Sequence, residues 1–275
     1  AGRRLEELAG DLDPGEWVKV AEWTTPNPGH LMPADRTAVR SATRGLRTRL
    51  QGLIQASRMD RPAPKRTGRG VDSRRLHRLA AGDPRVFSRR RHRRAPNTAV
   101  HILMDMSSSM GPSRVLASHA ALAVSEALSG IPGVATAVTA FPGPRPEISV
   151  SPIKGYDENL AATAAKAWDP GWNGMTPTAG ALWAIAPGLL NRPEERRLVI
   201  VATDGYPEVS QIDDHVHARQ TRAIIDRMTT SGIEVVGLGI GHMAVEDLFP
   251  DHRVIQGVEE LAKALFEMLE QRLAA

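Results

Sequence analysis

From residue 100 the chain reads Val100-His-Ile-Leu-Met-Asp-Met-Ser-Ser-Ser-Met110, an apolar run that leads into oxygen-bearing side chains. The apolar run is typical of a central strand covered on both faces of a sheet. Asp105, Ser107 and Ser109 follow at alternate positions, so a turn after the strand can aim them at one point. One carboxylate and two hydroxyls suit a hard cation such as Mg²⁺. By itself the pattern also fits a plain polar turn, because Ser and Asp are common turn residues.

Two later stretches favour the metal interpretation. The run Leu198-Val-Ile-Val-Ala-Thr-Asp204-Gly205 is a second apolar strand that ends in a carboxylate. Between the two strands, Gly174-Met-Thr176-Pro-Thr178-Ala-Gly180 is a turn that opens a helix. Loops after the parallel strands of an open α/β sheet gather at its carboxyl edge, where such sheets bind ligands. We therefore expect three separate loops to meet around one ion.

The periodicity from Thr98 onward alternates between strand and helix. It predicts helices over 113–129, 159–168, 179–190, 213–231 and 258–273, with strands over 134–141, 147–153, 197–203, 233–240 and 254–255. The link 142–144 is too short for a helical crossover, so the strands on either side of it should be antiparallel. The predicted fold is α/β: a doubly wound, mostly parallel sheet with one antiparallel edge strand and helices on both faces.

Residues 98–275 resemble the von Willebrand factor A (VWA) domains in the order and spacing of these motifs. The resemblance implies a metal-ion-dependent adhesion site, in which the ligands of Mg²⁺ (or Mn²⁺ or Ca²⁺) would be Asp105, Ser107, Ser109, Thr176 and Asp204. In that family the second carboxylate, here Asp204, often reaches the metal through water. Thr178 is a rival for the role of Thr176, but the residue directly after the Gly-x pair is the better match.

Further stretches resemble one branch of that family, the carboxyl-terminal part of the aerobic cobaltochelatase subunit CobT. They are Asp105-Met-Ser-Ser-Ser-Met110, Arg192-Pro-Glu-Glu-Arg-Arg197, Thr203-Asp-Gly205 and Gly237-Leu-Gly-Ile-Gly-His242, with a weaker match at Gly70-Val-Asp, Leu76 and Phe87. The resemblance covers the chain weakly before Thr98 and well after it. It implies a non-catalytic subunit that works with a MoxR-type AAA+ ATPase in cobalt insertion for cobalamin biosynthesis.

The same resemblance leaves the client open. VWA relatives that pair with other AAA+ ATPases serve nitric oxide reductase maturation or Rubisco activation. Whichever client is served, a divalent metal that is held by neutral hydroxyls and about two carboxylates keeps positive charge. We expect an acidic side chain of a client or chelatase subunit to complete its coordination shell. The sequence is also compatible with a homo-oligomer.

The net charge of +4 conceals two opposed halves. Residues 1–97 carry 22 Lys and Arg against 10 Asp and Glu, whereas residues 98–275 carry 13 against 21. We interpret 1–97 as a basic, partly helical extension with a flexible linker at 60–70, and 98–275 as the VWA domain. The first residue is Ala1, which leaves open that the chain is part of a longer protein.

The composition limits the compartment and the chemistry. The absence of cysteine excludes disulfides, thiol catalysis and cysteine-based zinc sites. No stretch approaches the roughly 18 apolar residues of a membrane span, and no secretory leader opens the chain. We therefore expect a cytoplasmic protein that does not contact a membrane.

Two other functions fit parts of the sequence. A nucleic-acid-binding extension would use Arg89-Arg-Arg-His-Arg-Arg94 and the arginines of a helix predicted over 35–59, which are Arg40, Arg44, Arg47 and Arg49. No aromatic platform accompanies these charges, so packing on an acidic surface or simple solvation is favoured. A metal-dependent hydrolase would need a base, and His119 and His242 are the weak candidates. Trp168 and Trp172 could rim the metal face or anchor the loop.

Overall fold

The computed structural model describes residues 18–25, 63–67, 70–71, 73–89, 97–111, 113–129, 131–158, 174–210, 212–241, 244–256 and 260–274. Several predicted features lie outside these residues: the helices over 35–59 and 159–168, the arginine run from residue 90 to 94, Trp168, Trp172 and His242.

A seven-stranded sheet forms the centre of the fold. Its strands are β1 (Glu22–Trp23), β5 (Thr98–Asp105), β6 (Val134–Phe141), β7 (Ser149–Lys154), β8 (Arg196–Thr203), β9 (Ile233–Ile240) and β10 (His252–Ile255). The order across the sheet is β1-β7-β6-β5-β8-β9-β10. The neighbouring pairs β6-β5, β5-β8, β8-β9 and β9-β10 are parallel. The crossovers between sequence-distant neighbours confirm the predicted doubly wound architecture.

One junction of the sheet is antiparallel, as the short link 142–144 predicted. Strand β7 runs antiparallel to β6, with Thr139 opposite Pro152 and Ala140 opposite Ser151. The sheet does not end there, because the two-residue strand β1 pairs with β7 in parallel. The upstream segment therefore supplies the outermost strand at this edge, whereas the boundary placed at residue 98 stays a prediction.

Helices cover both faces of the sheet. They are α2 (Ser113–Ser129), α3 (Thr178–Leu190), α4 (Asp214–Thr230), α5 (Ala244–Leu248) and α6 (Leu261–Ala274). Alternate residues of β5 face opposite ways: Val100, Ile102 and Met104 pack with α2 and α6, whereas Ala99 and Leu103 pack with α3 and α4. All eight β5 residues are buried, which explains the near-continuous apolar run that the sequence shows.

Most element boundaries agree with the sequence prediction to within about three residues. Helix α2 and strands β6 and β9 have the predicted bounds. Asp213 caps α4 because its carboxylate accepts the backbone N–H groups of His215 and Val216. The single turn α5 was not predicted, since five residues are too few to show a helical period.

The upstream part contains a second, small sheet. Strands β2 (Ala63–Lys65) and β3 (Gly70–Val71) both pair antiparallel with β4 (Phe87–Arg89), and the short helix α1 (His77–Ala80) lies between β3 and β4. Strand β2 and the first residue of β3 fall within the stretch interpreted as a linker.

The segment that carries β1 also contacts helix α3. The Ala21 backbone N–H donates to the Gly180 carbonyl oxygen at 3.1 Å, and Val18 and Ala21 are buried. A Cβ atom on Gly180 would lie 2.6 Å from the Lys19 carbonyl oxygen, so this close approach requires glycine. Residues 18–21 are thus packed against the helix that begins just after Thr176.

Candidate metal centre

Strands β5 and β8 end side by side at the carboxyl edge of the sheet. Their parallel register pairs Met104 with Ala202, which puts Asp105 level with Thr203. Each strand then enters a loop that carries polar side chains. The candidate residues of two distant motifs are therefore neighbours because of the strand register.

Asp105 is fully buried, and both of its carboxylate oxygens accept hydrogen bonds. The Ser107 backbone N–H donates to Oδ1 at 2.8 Å, which closes a tight turn after the strand. The Thr203 hydroxyl donates to Oδ2 at 2.5 Å. Burial raises the pKa of Asp105 to about 6, and these hydrogen bonds only partly offset that rise. A cation at this carboxylate would compensate the cost of burying its charge.

The hydrogen bonds of Ser107 and Ser109 link Asp105 to the second carboxylate, that of Asp204. Ser109 Oγ donates to Asp204 Oδ1 at 2.7 Å, and Ser107 Oγ lies 3.0 Å from Ser109 Oγ. A hydroxyl has one proton, so Ser107 is the donor in its contact with Ser109. The lone pairs that the two hydroxyls do not use in these bonds remain available to a cation. Ser107 is buried, whereas Ser109 is exposed at the surface of the protein.

The third loop is tied to the first two through its backbone. The backbone N–H and the hydroxyl of Ser108 both donate to the Gly174 carbonyl oxygen, at 2.9 and 3.2 Å. Thr176 and Glu208 exchange two backbone hydrogen bonds of 2.9 and 3.0 Å, which joins this loop to the one that carries Asp204. The structure thus brings all three predicted loops together at one edge.

Thr176 and Thr178 differ in what their positions offer. Thr176 lies in the bridge itself and is 4% exposed. Thr178 is the first residue of α3, and its hydroxyl points back to the Thr176 carbonyl oxygen at 3.4 Å. The Thr178 hydroxyl is thus engaged within its own loop, which favours Thr176 as the ligand candidate.

The chemistry of these side chains fits a hard divalent cation. Two carboxylates and three hydroxyls are all oxygen donors, the type that Mg²⁺, Mn²⁺ and Ca²⁺ prefer. Within the described ranges, no three His, Asp or Glu side chains form a cluster that could hold a metal ion. A site here would therefore depend on the hydroxyls as much as on the acids, and would retain positive charge on the bound ion.

Three residues of this edge were not predicted from the sequence. Thr203 holds the Asp105 carboxylate, Ser108 holds the Gly174 loop, and Glu208 forms the bridge to Thr176. Thr203 ends a strand and could have been found by aligning the ends of β5 and β8, since neighbouring parallel strands place their last residues together. The other two contacts use backbone atoms and leave no pattern in the sequence.

A comparison with family models matches residues 179–274 to the family described as "Cobalamin biosynthesis protein CobT VWA domain". Residues 179–274 are thus similar to a VWA domain of the CobT type. The matched residues begin in α3 and include β8, Asp204, β9 and α6, so they contain one of the three loops. The loops that carry Asp105 and Thr176 lie upstream of the matched region.

Solved structures that are similar to this chain confirm a VWA-like fold. The vWF domain of the type V pili tip protein Mfa5 from Porphyromonas gingivalis superposes with a TM-score of 0.50 at 12% identity, covering 66% of this chain and 96% of that one. The PilB minor pilin from Streptococcus sanguinis gives 0.51 at 14% identity, covering 66% and 62%. The pilus adhesin SpaC from Lactobacillus rhamnosus GG gives 0.51 at 14% identity, covering 66% and 30%. The chain thus spans less than two thirds of the PilB and SpaC chains.

A comparison with curated proteins finds no match. Among the helices in the described ranges, none has the length and apolar character needed to cross a bilayer.

Proposed function

We propose that the CobT-type VWA domain is a metal-dependent protein-interaction module. Asp105, Ser107, Ser109, Thr176 and Asp204 would hold one Mg²⁺ at the carboxyl edge of the sheet. When bound, the ion would supply positive charge and a coordination position for an acidic side chain of a partner. The chain's own residues position that ion and present it at the surface, which makes the function binding rather than catalysis.

The observation that carries this proposal is the convergence of three loops. Ser109 bonds Asp204, Ser108 bonds the Gly174 loop, and Thr176 bonds Glu208. Polar loops that only face solvent do not need hydrogen bonds to one another. Buried Asp105 supports the same conclusion, because a buried carboxylate without a nearby cation is costly.

The family match supports a partner of a particular kind. We propose that the chain works with a MoxR-type AAA+ ATPase, with cobalt insertion into a corrin ring for cobalamin biosynthesis as the pathway. The metal site would capture an acidic residue of the client or chelatase subunit, and the ATPase would supply the energy. The cobalt handled in that reaction is substrate and is separate from the ion at Asp105.

Co-purification from the source organism would test this proposal. The tagged chain, wild type or Asp105→Ala, is purified from that organism together with its bound proteins, with Mg²⁺ or with EDTA throughout. We expect capture of the large subunit by the wild type with Mg²⁺ only. Equal capture by the wild type in EDTA, or by Asp105→Ala with Mg²⁺, would contradict the metal-dependent interaction.

The same experiment separates the pathways. If the captured client belongs to nitric oxide reductase or Rubisco, the metal-dependent interaction stands and the chelatase assignment is wrong. Circular dichroism and urea unfolding of Asp105→Ala in EDTA verify that the variant is folded.

A further inference from the structure

Hydrogen bonds and short pieces of backbone link the candidate ligands Asp105, Ser107, Ser109 and Asp204 in a closed ring. Asp105 Oδ1 accepts from the Ser107 N–H, the Ser107 hydroxyl contacts the Ser109 hydroxyl, and Ser109 donates to Asp204. Next to Asp204, the Gly205 backbone N–H donates to Thr203 Oγ1 at 3.2 Å. The Thr203 hydroxyl then donates to Asp105 Oδ2 at 2.5 Å and closes the ring.

Thr203 occupies a particular place in this ring. Among the residues that the structure describes, its side chain links the Asp105 carboxylate to the backbone of the loop that carries Asp204. The Gly205 N–H uses one lone pair of its oxygen, and the contact with the ionised Asp105 uses its proton. A second acceptor, the Gly205 carbonyl oxygen, is farther away at 3.3 Å and uncharged. The bond to the carboxylate is therefore the stronger of the two.

Strand register and burial make this link rigid. Asp105 and Thr203 are the last residues of adjacent parallel strands, and Met104 pairs with Ala202 just before them. Thr203 is 2% exposed and Asp105 is 0% exposed, so water does not compete for their hydrogen bond. The Thr203 hydroxyl is fixed in position by the sheet itself.

We propose that Thr203 is a positioning residue for the metal site. It orients the Asp105 carboxylate and sets the distance between Asp105 and the Asp204 loop, without touching the ion. This inference rests on the proposed function, because it assumes that Asp105 and Asp204 hold a divalent cation. Partners of metal-ligating carboxylates that hold their orientation are worth about 10–100-fold in metal affinity.

The test measures Mg²⁺ affinity by calorimetric titration of the full chain after its metal has been removed with EDTA. Three proteins are compared: the wild type, Thr203→Val and Thr203→Ser. Valine keeps the shape and removes the hydroxyl, whereas serine keeps the hydroxyl. We expect Thr203→Val to bind Mg²⁺ about 10–100-fold more weakly and Thr203→Ser to bind close to wild type. Electron paramagnetic resonance of bound Mn²⁺ should show a changed spectrum in the valine variant and the wild-type spectrum in the serine variant.

Thr139→Val is the matched control. Thr139 is also a buried strand threonine whose hydroxyl has a side-chain partner, His101 Nε2 at 2.9 Å, but it is not part of the ring. We expect it to lower the free energy of unfolding without changing Mg²⁺ affinity. If Thr203→Val does not fold, Thr203→Ala removes the same hydroxyl with a smaller side chain and is compared with Thr203→Ser.

The outcomes separate the two proposals. Mg²⁺ affinity equal to wild type in folded Thr203→Val or Thr203→Ala would overturn the role of Thr203 and leave the proposed function intact. Weak binding that Thr203→Ser does not rescue would also overturn that role, since the hydroxyl would then not be the cause. Absence of Mg²⁺ binding in the wild type would overturn both.

Discussion

Ser109 and Asp204 are 95 residues apart in the chain, and the Ser109 hydroxyl donates a 2.7 Å hydrogen bond to Asp204 Oδ1. This bond joins the loop after β5 to the loop after β8. Both loops leave the same edge because their strands are parallel neighbours. Two motifs that are remote in the sequence are thereby parts of one site.

Removing the Ser109 hydroxyl should weaken metal binding much more than it weakens the fold. Ser109→Ala deletes a proposed ligand and the bond to Asp204, so we expect Mg²⁺ affinity to fall by at least the roughly 10–100-fold that loss of a partner of a metal ligand causes. Ser109 is exposed, so the free energy of unfolding in EDTA should change by less than about 1 kcal/mol. Calorimetric titration and urea unfolding measure the two effects separately.

Ser210→Ala is the matched control for that variant. Ser210 is another exposed loop serine, and its hydroxyl donates to Glu147 Oε1 at 2.8 Å, outside the ring around Asp105. Its substitution should leave Mg²⁺ affinity unchanged. Equal losses in the two variants would mean that the Ser109 effect is not specific to the site.

Metal should stabilise the native chain, and Asp204 should be required for this. A ligand that binds only the folded state raises the free energy of unfolding by about 2.7 kcal/mol at 100 times its dissociation constant. We expect urea unfolding of the wild type to shift to higher denaturant with Mg²⁺, and Asp204→Asn to show little shift. A similar Mg²⁺ shift in Asp204→Asn would place the bound ion elsewhere.

Two glycines of helix α3 should respond in opposite directions to alanine. Gly180→Ala places a Cβ 2.6 Å from the Lys19 carbonyl oxygen, which should cost about 1–3 kcal/mol in the free energy of unfolding. Gly188 lies in the same helix, and an added Cβ there would meet nothing within 4 Å beyond its chain neighbours and the backbone of its own helix. Gly188→Ala should stabilise by about 0.5–1 kcal/mol. Urea unfolding of both variants checks the pair, and a tolerated Gly180→Ala would contradict the docking of the upstream segment on α3.

His101 should make the fold sensitive to acid. Its Nδ1 lies 3.1 Å from the Tyr156 hydroxyl and its Nε2 lies 2.9 Å from the Thr139 hydroxyl. Burial lowers the pKa of His101 to about 3, whereas an unfolded histidine titrates near 6.5. Between these values the unfolded chain binds the extra proton, so stability falls as pH falls. The slope from this group is about 1.4 kcal/mol per pH unit.

His101→Gln isolates this effect. The variant should be less stable than the wild type above pH 7, and the difference should shrink as pH falls below about 6.5, because glutamine does not titrate. Subtracting the two profiles removes the contributions of other groups, Asp105 among them. A difference that stays constant from pH 7 to pH 4 would show that His101 is not kept neutral by burial.

Much of the architecture could be predicted because its signals are local. The apolar runs before Asp105 and Asp204 indicate buried strands, and each carboxylate marks the strand end. The short link at 142–144 predicts the antiparallel pair on geometric grounds alone. Parallel-sheet geometry then predicts that the polar loops meet at one edge, and the structure brings them together there.

The contacts that could not be predicted depend on neighbours far away in the sequence. Strand β1 has only two residues, and its place in the sheet is set by its pairing with β7. Strand β2 contains Pro64 and Lys65, which normally argue against a strand, but it pairs with β4 at the edge of a small sheet. Thr203 looks like an ordinary strand residue until the register of β5 and β8 places it beside Asp105.

Diffraction from crystals grown with Mn²⁺ tests the metal site most directly, because the anomalous signal locates the ion without reference to any partner. The proposed function predicts one strong peak at the carboxyl edge of the sheet, in contact with the hydroxyls of Ser107 and Ser109 and within reach of Asp204. Crystals in which these side chains are ordered and the peak is absent, or lies elsewhere on the chain, would contradict it.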